Sequence, residues 1–207
     1  MLEVKAVNIC KEQEVLIESL SFQVPAGEIL TIMGESGSGK STLLSWLIGA
    51  YDPVFSIRGD LYLNDVSIGQ MPTQQRRIGI LFQDDLLFPH LSIGQNLAFA
   101  LPADIKNKQK RKALVNATLD EVGLSGFHDR DPMTLSGGQR ARISLLRALL
   151  ARPKALLLDE PFSKLDMTLR QSFREFVYTQ VKQQKIPTVL VTHDKDDVPD
   201  NGLIVQL

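Results

Sequence analysis

Hydrophobic and polar positions along the chain change period several times, and each change predicts an element. Leu20, Phe22 and Val24 alternate with polar neighbours up to a Pro25-Ala26-Gly27 turn, the pattern of a half-buried strand. Residues 29–33 follow as an unbroken apolar run of buried-strand length. Residues 34–39 form a glycine-rich loop, and residues 40–48 carry apolar positions at helical spacing without a breaker. Leu61 and Leu63 lie on either side of Tyr62 ahead of Asn64-Asp65, which suggests a hairpin, and residues 78–82 read as a short buried strand ending at Gln83. Helical character runs through residues 92–150. A second apolar run at residues 155–158 ends in Asp159-Glu160, followed by a polar turn, an amphipathic helix near residues 168–184 and a strand at residues 188–191. Strands alternating with helices predict a parallel sheet. The chain carries no internal repeat, heptad array or low-complexity tract, which excludes a solenoid or coiled-coil protein.

Composition narrows the class. With 207 residues, 43% of them hydrophobic, the chain can bury one sizeable α/β core with an inserted subdomain but not two full domains. Its 23 Lys and Arg balance 24 Asp and Glu, so neither disorder nor a general polyanion-binding surface is indicated. The basic stretch Lys106, Lys108, Lys110, Arg111 and Lys112 reads as a solvated helix face. Cys10 is the only cysteine, which excludes an internal disulfide or a cysteine metal cluster and fits a reducing compartment such as the cytosol. No apolar run approaches the roughly 20 residues needed to span a bilayer, so a membrane role has to come through a partner.

The glycine-rich loop carries the first chemistry. Gly34, Glu35, Ser36, Gly37, Ser38, Gly39, Lys40 and Ser41 fit G-x-x-x-x-G-K-[ST], placed between an apolar strand and a helix. Glycines let the backbone curl so that successive N–H groups face phosphates. Lys40 can then reach the β and γ groups, Ser41 can ligate Mg2+, and Thr42 supports the turn. Kinases, GTPases and motor ATPases share this loop, so it leaves the type of nucleotide machine open.

Leu135, Ser136, Gly137, Gly138 and Gln139 decide between them. At about 5–10% per residue type, a chance match to this pentapeptide has a probability on the order of 10⁻⁶ per position. At this point the chain resembles the ATP-binding subunits of ABC transporters, whose signature is LSGGQ, and the resemblance covers almost its whole length. Ser136 and the glycines open a helix whose N–H groups and positive end favour a γ-phosphate. A serine followed by two glycines is otherwise a poor helix start, since glycine costs about 1 kcal/mol relative to alanine.

The resemblance implies the remaining roles. Asp159 would orient Mg2+ and Glu160 would polarise the attacking water as general base. Gln83 matches the glutamine that senses Mg2+ and the γ-phosphate, within Ile80-Leu81-Phe82-Gln83 and ahead of Leu87-Phe88-Pro89-His90-Leu91-Ser92. Ser163-Lys164-Leu165-Asp166 is similar to the loop through which Asp166 communicates between two sites, with Lys164 where alanine is common. His193 matches the switch histidine beside Glu160, whereas His90 and His128 read as ordinary histidines. The fold implied is α/β: a RecA-like P-loop NTPase core with an N-terminal antiparallel β region and an inserted helical subdomain. Residues 1–83 and 151–207 would form the core and residues 84–150 the helical signature subdomain.

Two departures stand out. Members of the family usually place an aromatic ring for adenine at a position near Cys10 or Lys11, and none is there; the stem of Lys11 is the substitute the sequence offers. The chain ends soon after His193, at Leu207, so the sheet-completing hairpin and regulatory extension of longer relatives are expected to be missing or reduced. The guanine-reading N-K-x-D pattern is absent, since Asn107-Lys108-Gln109-Lys110 lacks its aspartate.

The function implied is ATP hydrolysis coupled to solute import at the cytoplasmic face of the inner membrane. Two identical subunits would sandwich ATP and Mg2+, driving two integral membrane permease subunits fed by a periplasmic or lipid-anchored solute-binding protein. Residues 84–100 resemble those of thiamine, ferric iron and polyamine importers. Leu86, Leu87, Phe88 and Leu91 are candidates for the permease docking surface. The alternative is a soluble ABC ATPase acting on nucleic acid or ribosomes. The absence of long heptad arms between Lys40 and Ser136 and the balanced charge weigh against it, and no nucleic-acid partner is expected. A small-molecule kinase would need an acceptor pocket where the signature stands.

Overall fold

The computed structural model describes residues 1–200 and 202–207. Five parallel strands form its centre: β3 (Ile29–Met33), β6 (Ile78–Leu81), β7 (Ala155–Asp159), β8 (Thr188–Val191) and β9 (Leu203–Gln206), in the order β6-β7-β8-β3-β9. They read as unbroken apolar runs because both faces are covered. Successive side chains point to opposite faces, so Leu30, Ile32, Leu157, Val189 and Val191 enter one core and Ile29, Leu156, Leu158 and Leu190 the other. β9 pairs with β3, so an edge strand is present beyond His193 where the sequence suggested a reduced sheet.

The first of these cores is closed by α1 (Lys40–Ile48) and by a second, antiparallel sheet. That sheet holds β1 (Leu2–Lys11), β2 (Glu14–Val24), β4 (Phe55–Leu63) and β5 (Val66–Ser67) in the order β2-β1-β4-β5. Asn64 and Asp65 form the two-residue hairpin loop, both at positive φ, as a type I′ turn requires. The buried Arg76, in the short α2 (Thr73–Arg76), donates to the carbonyls of Trp46 (2.6 Å), Leu47 (3.0 Å), Gly69 (2.5 Å) and Met71 (2.8 Å). Its guanidinium thereby serves the free carbonyls at the end of α1.

β1 and β4 lose register between Lys5 and Asn8, where Ala6 and Val7 face the single residue Gly59. Gly59 has φ 140°, and a Cβ there would lie 2.6 Å from Val7 Cγ2 and 2.7 Å from Val7 Cα. Both backbone and space demand glycine at this bulge. Gly59→Ala is therefore expected to destabilise the fold by about 2–3 kcal/mol, lowering the thermal midpoint by roughly 5–10 °C in a melting experiment.

The second core is covered by α6 (Met167–Gln184), through Phe173, Val177 and Val181, with Leu145 and Leu149 of α5 (Gly137–Leu150). A third cluster lies among α3 (Ile93–Ala100), α4 (Lys108–Glu121) and the outer face of α5, with Ile93, Leu97, Val115, Leu119, Ile143 and Leu146 buried. α5 thus belongs to both clusters, and Ser144 and the Arg140 and Arg147 guanidiniums fasten it to the loop after β6. Arg140 Nε donates to Asp85 Oδ2 at 2.8 Å, while Ser144 Oγ and Arg147 donate to the Asp85 carbonyl.

Candidate nucleotide site

The sheet order brings four chemistry-bearing segments to one edge, since β3, β6, β7 and β8 run parallel and end together. Such carboxyl edges are where open α/β sheets bind ligands. β3 delivers the glycine-rich loop, β7 Asp159 and Glu160, β8 His193, and β6 Gln83. A cavity of about 440 Å³ opens over the loop, lined by Gly34, Ser36, Gly37, Gly39, Lys40, Ser41, Thr42, Glu160 and His193, with Leu16 beside Gly39, and by Lys11 and the two residues that pair with it, Glu14 on β2 and Phe55 on β4. Its size lies within the range of small-molecule sites.

Gly37 and Gly39 hold φ 88° and 90°, which curls the loop ahead of α1, and Gly39 is the residue that caps the helix. Buried Lys40 lies across this curl, with Nζ donating to the carbonyls of Gly34 (2.8 Å) and Glu35 (2.5 Å). Its charge is therefore held at the loop's centre, in the concavity that the backbone N–H groups surround.

Glu160 has φ 44°, an uncommon conformation for a residue with a side chain. The turn is pinned by its N–H donating to the Val191 carbonyl at 2.9 Å, and it aims the carboxylate at His193, whose Nδ1 lies 3.2 Å from Oε1. Burial pushes the Asp159 carboxyl above its ordinary range, neighbouring Glu160 adds to the push and Lys40 opposes it. Ser41 and Glu160 line the cavity, and Asp159, which does not, precedes Glu160 at the end of β7; together they offer an oxygen-only donor set. Hard cations take such ligands, and Mg2+ binds through one or two carboxylates plus phosphates. The chemistry of this donor set fits the metal that the loop implies.

Gln83 does not line this cavity. Its Nε2 donates to Ser163 Oγ at 3.2 Å, and Ser163 Oγ donates to the Glu160 carbonyl at 2.8 Å. A smaller crevice of about 190 Å³ holds it together with Gly137, Arg140 and Lys164, which is ion-paired to Asp84. Asp166 caps α6, accepting from the Leu169 N–H at 3.0 Å.

Ser136, Gly137, Gly138 and Gln139 also lie outside the cavity of their own chain. Ser136 and Gln139 form a reciprocal capping box, Ser136 Oγ accepting from Gln139 N–H at 3.3 Å and Gln139 Oε1 from Ser136 N–H at 3.0 Å. The segment is a sound helix start after all, because the box satisfies two donors that the glycines alone would leave free. Gly137 is what packing does not explain: a Cβ there would meet nothing closer than Leu165 Cδ2 at 3.9 Å.

Sequence reasoning missed three lining residues, Glu14, Leu16 and Phe55, and one supporting network. Phe55 enters the cavity because β1 and β4 pair Lys11 with Phe55. Arg170 grips Asp197 through Nε (2.9 Å) and NH2 (2.7 Å), and Asp197 accepts from Thr192 Oγ1 at 2.8 Å, one residue before His193. The Leu169-Arg170 pair after Asp166 carried no signal by itself.

Among the docking candidates, Leu86 is exposed and Phe88 lines an apolar groove of about 480 Å³ with Phe82, Phe99, Ala100 and Ala148. Leu87 instead packs into the helical cluster, and Leu91 does not line the groove. Phe99, 69% exposed, is a groove residue that the sequence did not single out.

Residues 17–163 match the family described as ABC transporter. Over all 207 residues the chain is 54% identical to the Uncharacterized ABC transporter ATP-binding protein YnjD of Escherichia coli, covering 95% of it. It is 41% identical over 186 residues (90% of the chain) to the Sulfate/thiosulfate import ATP-binding protein CysA of Mycobacterium tuberculosis. It is 37% identical over 201 residues (95% of the chain) to the Fe(3+) ions import ATP-binding protein FbpC 2 of Haemophilus influenzae. The chain spans about half the length of these two relatives, 52% and 56%. Among solved structures, it is similar at TM-score 0.81 and 27% identity to the ATP-binding cassette MJ0796 in a dimeric post-hydrolysis state bound to ADP and Pi, covering 100% of this chain and 94% of that one.

Proposed function

This chain belongs to the ABC transporter family as an ATP-binding, ATP-hydrolysing subunit, and from that premise we propose that it is the motor of an importer and works as a homodimer with two ATP molecules clamped between its subunits. One observation carries the reading. The signature helix start has a bare backbone at Gly137 and lines no part of its own chain's cavity over the phosphate loop. A second copy, turned head to tail, supplies the missing wall. The similar cassette, solved as a dimer bound to ADP and Pi, supports a nucleotide-bound dimer.

In that arrangement the N–H groups of residues 34–41 and Lys40 hold the β and γ phosphates of ATP, and the partner subunit's signature caps the γ-phosphate. Glu160 takes a proton from water as the water oxygen bonds to the γ-phosphorus and the bond to the β,γ-bridging oxygen breaks, leaving ADP and phosphate. His193 holds the Glu160 carboxylate in line. Mg2+, when bound by Asp159 and Ser41, offsets charge on the phosphates. Gln83, linked to Glu160 through Ser163, and Asp166 at the start of α6 relay the state of the site. The groove at Phe82, Leu86, Phe88 and Phe99 receives a permease segment at the cytoplasmic face of the inner membrane. Two relatives whose names specify import support that direction, and with it a solute-binding protein outside the membrane. No described helix is long and apolar enough to cross a membrane, and in this reading the membrane is reached through the permease.

The test is cooperative assembly. Specific ATPase activity is expected to rise with protein concentration before levelling, and sizing chromatography should show an ATP-dependent dimer. A specific activity constant at every dilution, with no nucleotide-dependent dimer, would sink the proposal.

A further inference from the structure

The nucleotide cavity has two unlike ends. The phosphate end reaches Leu16, whose Cβ would lie 3.3 Å from a Cβ on Gly39, while the other end, beyond it along β2, is lined by Phe55, with Lys11 and Glu14 at its rim. Phe55 is the only aromatic residue lining the cavity, among the described residues, and it stands across from Lys11 in the β1–β4 pairing. Its position is fixed from both sides. Asp52 Oδ1 accepts from Val54 N–H at 2.9 Å and the Asp52 carbonyl from Phe55 N–H at 3.0 Å, while the ring is partly buried against the main core. A triphosphate seated on residues 34–41 extends its base beyond Leu16 toward this end, where a fixed ring offers a π face.

The rim is built differently. Lys11 and Glu14 are both exposed and lie on the strand ends joined by a tight turn, paired across β1 and β2. Strong discrimination between bases needs buried polar groups that are left unpaired by the wrong ligand. A mobile ammonium and a mobile carboxylate in water impose no such penalty: a carboxylate accepts equally from an amino group of adenine or guanine, and an ammonium donates to N7 of either.

We propose that Phe55, carried by β4 in place of a ring on β1, stacks on the nucleotide base, and that the base is gripped by its face without being read at its edge, so that the site takes purine triphosphates generally. The proposal rests on the ATP-binding reading above and deepens it. Stacking on an aromatic side chain tolerates any base, so ATP and GTP should bind alike, and both should bind more tightly than the phosphates alone.

The experiment is equilibrium competition by ATP, GTP and inorganic tripolyphosphate against a fluorescent ATP analogue, in the full chain and in Phe55→Leu and Phe55→Trp. Leucine keeps packing bulk but has no π face. The wild type is expected to bind ATP and GTP within tenfold of each other. Phe55→Leu should weaken both by about tenfold, with tripolyphosphate unchanged and the Trp variant at wild-type strength. Three results would overturn it: unchanged ATP affinity in Phe55→Leu, equal loss of tripolyphosphate binding, which marks a merely structural ring, or a wild-type ATP preference beyond tenfold. A wild type that binds no nucleotide at all would instead fail the underlying reading.

Discussion

Glu160→Gln is expected to bind ATP, accumulate as a closed dimer and lose turnover by at least about a hundredfold, the lower range for a positioned general base. The substitution is nearly isosteric. Glutamine keeps an oxygen for His193, 3.2 Å from Oε1 in the wild type, and the backbone turn at φ 44° is anchored by a main-chain bond to Val191 that no side chain affects. What disappears is the capacity to take a proton from water. Single-turnover hydrolysis separates this from a folding defect, because the variant should retain ATP and the dimer while releasing phosphate slowly. Hydrolysis at the wild-type rate would falsify Glu160 as the base.

The largest stability loss from a single truncation outside the main hydrophobic core should come from Asp197→Ala. This carboxylate is 3% exposed and accepts from both Arg170 nitrogens and from Thr192 Oγ1, while its own carbonyl accepts from Tyr178 Oη. Removing it strands a guanidinium and a buried hydroxyl. Loss of one partner of such a pair costs about 3–5 kcal/mol; here Asp194, also 2.7 Å from Arg170 NH2, takes up part of the charge. About 3 kcal/mol remains, a fall of roughly 6–12 °C in thermal midpoint. Hydrolysis should fall as well, measured where the variant is still folded, since Thr192 sets the direction of His193. Asp197→Asn, which can still accept from one donor, should recover part of both losses. If the Ala variant melts with the wild type, Arg170 is held by Asp194 alone.

Elements with local causes were legible in the sequence. The apolar run at residues 29–33, the loop and helix to residue 48, and the Asn64-Asp65 hairpin each declare themselves through period or turn chemistry within a few residues. The parallel sheet followed from alternation, and the family from five consecutive residues. Features made by distant pairing were not legible. Phe55 meets the nucleotide cavity only because β4 lies against β1, so a search near Cys10 and Lys11 found no ring. The bulge at Gly59 and the Arg170–Asp197 clamp depend likewise on segments far apart in sequence. Leu87 illustrates the limit within a single motif: the pattern marked it with Leu86 and Phe88 as surface, yet turning one residue along the loop sends it into the helical core.

α5 begins at the signature glycines, is fastened along its side to Asp85, and ends beside the apolar groove. Its 14 residues make a rod about 21 Å long. Tilted by about 10°, such a rod swings its tip by roughly 4 Å, more than the length of a hydrogen bond. In the proposed assembly, contact with phosphate at one end and the width of the groove at the other would thus be two readings of a single angle, and a docked partner that fixed the groove would also set how readily the pair of subunits could shut.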